Sequence, residues 1–132
     1  MARFYTLDSA AATLAEIQPL LEALRDDARR LEGSRDELVR LRRSNGAPAA
    51  AAAAERLQQE LRMLAERMRE AVARIDSLDV QLRDVETGLI DFPALVSGRP
   101  IWLCWRFGDD GIGWWHEVNV GFAGRRPLIE LE

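Results

Sequence analysis

The chain contains no lysine; all 18 of its basic residues are arginine. It has one cysteine, Cys104, one histidine, His116, and no tryptophan before Trp102. Each scarcity excludes something. A single cysteine cannot close an internal disulfide, so folding needs no oxidising compartment. One histidine and one cysteine fall short of a closed zinc site, and neither a CxxC pair nor an HExxH helix is present. The sequence holds no P-loop, no dinucleotide fingerprint and no Ser-His-Asp order from which a nucleophile can be assembled. No stretch approaches the ~20 apolar residues of a membrane span. The first residues lack the apolar core of a signal peptide and carry Asp8 and Glu16. The net charge of -4 lacks the basic excess of a general nucleic-acid binder. The expectation is a soluble cytoplasmic protein with neither a membrane nor a nucleic acid as partner.

What is present is unevenly distributed. All four tryptophans, with Cys104 and His116, fall between positions 102 and 116 of a 132-residue chain. Before them the sequence is rich in alanine, arginine and glutamate. That division predicts a single domain, residues 1–132, made of a helical stalk and a small aromatic head.

The stalk reads as two helices. Apolar residues step by threes and fours through Leu14, Ile17, Leu21, Leu24, Ala28 and Leu31, and resume at Leu38 after Arg35. The second series runs Leu57, Leu61, Leu64, Met68, Ala71, Ile75, Leu78, Leu82, Val85, Leu89. Alternating spacing of this kind is a coiled-coil seam, because a 3.5-residue repeat keeps one stripe facing its partner. Helix one is expected over residues 7–45, capped by Thr6 or Asp8, kinked at Pro19 and ended near Ser44, Asn45 and Gly46. Helix two is expected over 48–87, opened by Pro48 and the alanine tract at 49–54 and closed by Gly88. Similar lengths and a short connection predict an antiparallel two-helix coiled-coil hairpin. Two helices alone leave apolar stripe exposed, which points to a homodimer. Arg40, Arg42 and Arg43 suit the negative end of helix one and need no ligand.

The head changes period. Residues 100–119 alternate in two runs around Gly108, Asp109, Asp110 and Gly111, the pattern of a β-hairpin. Residues 88–99 read as a connector and 120–132 as a Gly/Arg-rich tail, with Asp91 and Glu117 as partners for Arg125 or Arg126. The fold class is therefore mainly α with a small β element, α+β. A two- or four-residue loop puts Cys104 and His116 on opposite faces, with Trp105 and Trp114 in the core. Trp102 and Trp115 then share the other face as an interaction patch. A three-residue loop with a bulge brings Cys104 and His116 together instead.

The chain resembles a bacterial family called domain of unknown function 2203. The resemblance lies at residues 4–8 (FYTLD), 88–93 (GLIDFP), 103–106 (LCWR), 115–118 (WHEV) and 121–127 (GFAGRRP). It implies a helical hairpin with a small β element in a bacterial cytoplasm, and it implies no activity.

Two functions follow as expectations. The first is a non-enzymatic homodimeric assembly module that meets a protein partner through Trp102 and Trp115. The second is a metal- or small-ligand-binding protein, with catalysis an open possibility, built around His116, Glu117, Asp91, Cys104, Arg125 and Arg126. The sequence requires no cofactor; a metal ion is the leading one, completed by carboxylates such as Asp84, Glu86, Asp91 or Glu117.

Overall fold

The computed structural model describes residues 3–44 and 46–130. Two helices come first: α1 is Leu7–Arg43 and α2 is Pro48–Ser77. Five strands follow: β1, Gln81–Asp84; β2, Leu89–Val96; β3, Arg99–Trp105; β4, Trp114–Glu117; and β5, Arg126–Pro127. Short 3-10 turns flank β5 at Phe122–Gly124 and Leu128–Glu130. The fold is α+β: two long helices packed on each other, and one antiparallel sheet whose spatial order follows the chain, β1-β2-β3-β4-β5.

Thr6 starts α1. Its hydroxyl accepts the Ser9 N–H at 3.1 Å while the Ser9 hydroxyl accepts the Thr6 N–H at 2.9 Å, a reciprocal capping box. Pro19 lies on the exposed face inside an unbroken helix. Ser44 closes α1 by donating its N–H back to Leu41, whereas Asn45 lies outside the described residues. Cross-helix ion pairs line the flanks: Arg74 with Glu16, Arg67 with Asp27, and Arg30 with Glu60. The arginines are exposed, with Asp27 and Glu60 only partly so, and the pairs set the helix register more than they add stability.

The second half departs from expectation. The 3/4 spacing carries helix two to residue 87, but α2 ends at Ser77. Asp79 adopts a φ of +61°, a left-handed conformation that aspartate tolerates better than most residues, and the chain leaves the helix there. Leu82 then belongs to β1. Its place in the heptad series is a coincidence, since strand and helix periods both allow apolar residues four apart. The region 88–99 is likewise β2 and its turn rather than a connector. Asp84 Oδ2 accepts both the Thr87 N–H (2.9 Å) and the Thr87 hydroxyl (2.6 Å), shaping the β1–β2 turn. Those two bonds, the side-chain one first, hold the Asp84 carboxyl below its ordinary range. Gly88 completes the turn at φ +66°, with the Phe107 ring 2.5 Å from where a Cβ would stand. A side chain there would be strained in φ and would have to displace the Phe107 ring. At the next turn Ser97 (φ +51°) and Gly98 (φ +78°) both take positive φ, the type I′ geometry that matches strand twist.

The sheet presents one face to the base of the hairpin. Ile90, Phe92, Ala94, Ile101, Leu103, Trp105 and Trp115 are buried there with Leu14, Ile17, Leu21 and Ile75 from the helices. Tyr5 ties the N-terminal segment to this core: its N–H donates to the Pro93 carbonyl at 2.7 Å and its hydroxyl to that of Leu78. Its ring also meets Phe92 edge to face.

The β3–β4 register pairs Trp102 with His116 and Cys104 with Trp114, and Leu103 with Trp115. An odd number of residues, 105–113, separates Cys104 from Trp114, so even positions face even positions. This overturns the register expected from a two- or four-residue loop. Trp105 and Trp115 point into the core, whereas Trp102 and Trp114 lie on the outer face. The expected patch of Trp102 with Trp115 therefore does not form: Trp115 is 2% exposed and sits on the opposite side of the sheet.

A buried Asp-Cys-His cluster on the outer sheet face

The same register collects the titratable residues. Asp91 of β2 is the partner of Cys104 in β3, and β4 brings His116 alongside. All three side chains are buried; Asp91 and His116 are each 3% exposed. One ligand atom from each (a carboxylate oxygen, the thiol sulfur and an imidazole nitrogen) lies within 4.8 Å of the other two.

The histidine is oriented at both ends. Its Nδ1 meets the Glu117 backbone carbonyl at 2.9 Å. A carbonyl only accepts, so Nδ1 carries the hydrogen and Nε2 is the nitrogen left for other work. Nε2 lies 3.0 Å from Asp91 Oδ2, which also accepts from Arg83 Nε at 2.9 Å. Asp91 Oδ1 is buried and has no hydrogen-bond partner among the described residues. An orphaned carboxylate oxygen at this depth costs about 1–3 kcal/mol or more unless something satisfies it.

Cys104 is fully buried, and burial first, then the Asp91 charge, pushes its thiol up to about 12. Arg125 pulls in the other direction without prevailing. At neutral pH the sulfur thus keeps its proton, the wrong state for a nucleophile. A coordinated metal would displace that proton.

A pocket of about 330 Å³ opens over Asp91 and His116. Arg83, Trp102, Val118, Val120 and Phe122 line it with them. The Arg83 guanidinium lies 5.0 Å from the Trp102 ring centroid.

Other expected site residues are committed elsewhere. Arg125 forks onto Asp109 with bonds of 2.9 and 3.3 Å, and stacks between Trp114 (4.2 Å) and Phe122 (4.4 Å). It pairs with neither Asp91 nor Glu117. The Glu117 carboxylate binds Arg99 at 2.6 Å, so Glu117 serves the cluster only through its backbone. Arg126 lies over Trp115. Asp84 holds Thr87 and Glu86 pairs with Arg29, leaving neither for a ligand set. Arg83 is the site residue that sequence reading misses. It falls beside an irregularity in the β1–β2 pairing, between Leu82 and Asp84, which turns its side chain toward Asp91.

Fold and cluster together define an antiparallel sheet on a helical hairpin, with a buried Asp-Cys-His group on the sheet's free face. Residues 3–128 match the family described as "Uncharacterized conserved protein (DUF2203)", and the chain belongs to that family. No curated protein and no solved structure matches it significantly.

Proposed function

We propose that this protein binds a single zinc-class dication through His116 Nε2, Cys104 Sγ and the Asp91 carboxylate. The observation that carries the reading is three buried ligand atoms from three strands within 4.8 Å of one another. Two features support it. The Nδ1–H bond to a backbone carbonyl is the outer contact that metal-ligating histidines make, and it frees Nε2 for a metal. Asp91 Oδ1 has no partner among the described residues. A dication would take the place of the proton between Nε2 and Asp91 Oδ2 and of the proton on Cys104. Thiolate plus imidazole favours zinc over harder ions such as magnesium. Tetrahedral ligands at about 2.0–2.3 Å stand roughly 3.5 Å apart, a spacing bracketed by the 3.0 Å between His116 Nε2 and Asp91 Oδ2 and the 4.8 Å within which all three ligand atoms lie. Three protein ligands leave one position open toward the pocket. A thiolate ligand must stay reduced, which fits a bacterial cytoplasm.

The test is metal analysis of protein made in zinc-supplemented medium and dialysed. One zinc per chain is expected in the parent and less than a tenth of that in Cys104→Ala, with unchanged helical circular dichroism. A folded parent that retains no zinc, iron, cobalt or nickel overturns the reading.

Homodimerisation is a second reading, favoured by α2. Over its 30 residues that helix buries only Leu64 and Ile75, and leaves Met63 67% and Val72 42% exposed. Met63 and Val72 stand nine residues apart, on opposite flanks of the seam with α1, and a second copy packed against either flank would give a four-helix arrangement. Light scattering should then return twice the 14.9 kDa chain mass, falling to one in Met63→Glu/Val72→Glu. A monomeric parent at 100 μM sinks the idea.

Among the described residues, no helix is long and apolar enough to cross a membrane.

A further inference from the structure

Resting on the metal reading, the pocket's walls and charges identify its occupant. We infer that it takes a small monoanionic carboxylate with a compact apolar body, one oxygen at the open metal position and the other on Arg83.

Charge comes first. The thiolate of Cys104 and the carboxylate of Asp91 together cancel a dication, and His116 adds none. Arg83 then stands as an uncompensated positive charge at the pocket wall. Its neighbours offer no relief: Arg125 is neutralised by Asp109, and Glu117 is taken by Arg99. A site left with one excess positive charge selects one negative charge.

Donor geometry comes second. Arg83 spends only Nε on Asp91, and its two Nη amino groups make no hydrogen bond among the described residues. The side chain is 42% exposed, so those donors are presented rather than sealed. Packing against Trp102 holds the guanidinium plane in place. A planar fork of free N–H groups matches a planar carboxylate better than a spherical ion.

Shape comes third. Apart from Arg83, Asp91 and His116, the walls are apolar or glycine, supplied mainly by Leu89, Trp102, Val118, Val120 and Phe122. A volume near 330 Å³ is at the small end of ligand pockets and suits one ring or one branched chain. Inorganic anions would use the charge and leave the apolar half of the walls uncovered.

Benzoate is the probe, titrated calorimetrically into the zinc-loaded chain, with neutral benzamide as its matched control. Benzoate is expected to bind and benzamide to bind at least tenfold more weakly. Arg83→Met should weaken benzoate at least tenfold while its zinc content, measured on the same sample, stays at one per chain. Arg83→Lys, which keeps the charge and loses the fork, should recover only part of the affinity. Equal binding of benzoate and benzamide, or of benzoate by parent and Arg83→Met, overturns the inference. So does sodium phosphate competing as well as benzoate. Zinc uptake with no benzoate binding sinks the ligand and spares the metal. Arg83-dependent benzoate binding by chelator-treated protein that takes up no metal does the reverse.

Discussion

Metal-free protein carrying His116→Leu is expected to unfold about 3 kcal/mol more easily than the parent, because it strands the buried Asp91 carboxyl without its imidazole partner. Asp91 would then keep only Arg83, with its other oxygen already unsatisfied. Adding Asp91→Leu should return most of that loss. Two apolar side chains of similar volume would fill the same space without a desolvated charge, and replacing such a pair by hydrophobes is often neutral or better. Arg83 tolerates the change because it reaches solvent. Urea denaturation in chelator, followed by far-ultraviolet circular dichroism, gives all three stabilities. A double variant as unstable as the single one, or worse, would mean that Asp91 and His116 are not energetically coupled. The same double variant must bind no zinc whatever its stability.

The second large effect separates two tryptophans. Trp115→Ala should cost about 3–5 kcal/mol, the usual loss when a buried indole is deleted from a core. Trp102→Ala should cost about 1 kcal/mol, the scale of a half-exposed ring under a guanidinium. Trp115 is packed with Leu103 and the hairpin base, whereas Trp102 stands beside the pocket. Urea midpoints for the two variants measure the contrast directly. Near-equal losses, or the opposite order, would reinstate the other β3–β4 register and separate Cys104 from His116.

How much could be read in advance depends on which period dominates locally. The helical hairpin is legible because Leu14 to Leu38 and Leu57 to Leu78 repeat over several heptads with charged flanks. Strands β1 and β2 are not, since Leu82 and Leu89 extend the same series and only a left-handed Asp79 ends the helix. Cys104 and His116 are visible as scarce chemistry near each other in sequence, with Asp91 a carboxylate within reach. Their convergence is not visible, because it turns on whether the loop after Trp105 holds an odd or an even number of residues. Spacing alone leaves that parity open. Arg83 is hidden by the same error that hides β1: as part of a helix it is a solvated flank, and as part of an irregular strand it faces the cluster.

The confinement of every tryptophan to β3 and β4 has an optical consequence. Indole emission from this protein reports on the sheet alone, while the ellipticity of the helix band comes almost wholly from the tryptophan-free hairpin. A single heated sample thus carries two independent signals, and melting curves that diverge would reveal the hairpin fraying before the sheet gives way. The indoles are further sorted by surroundings. Trp105 and Trp115 are shielded in the core, whereas Trp102 and Trp114 are partly exposed on the face that holds the cluster. Occupation of the pocket should therefore perturb the redder, solvent-touched part of the emission and leave the bluer part unmoved.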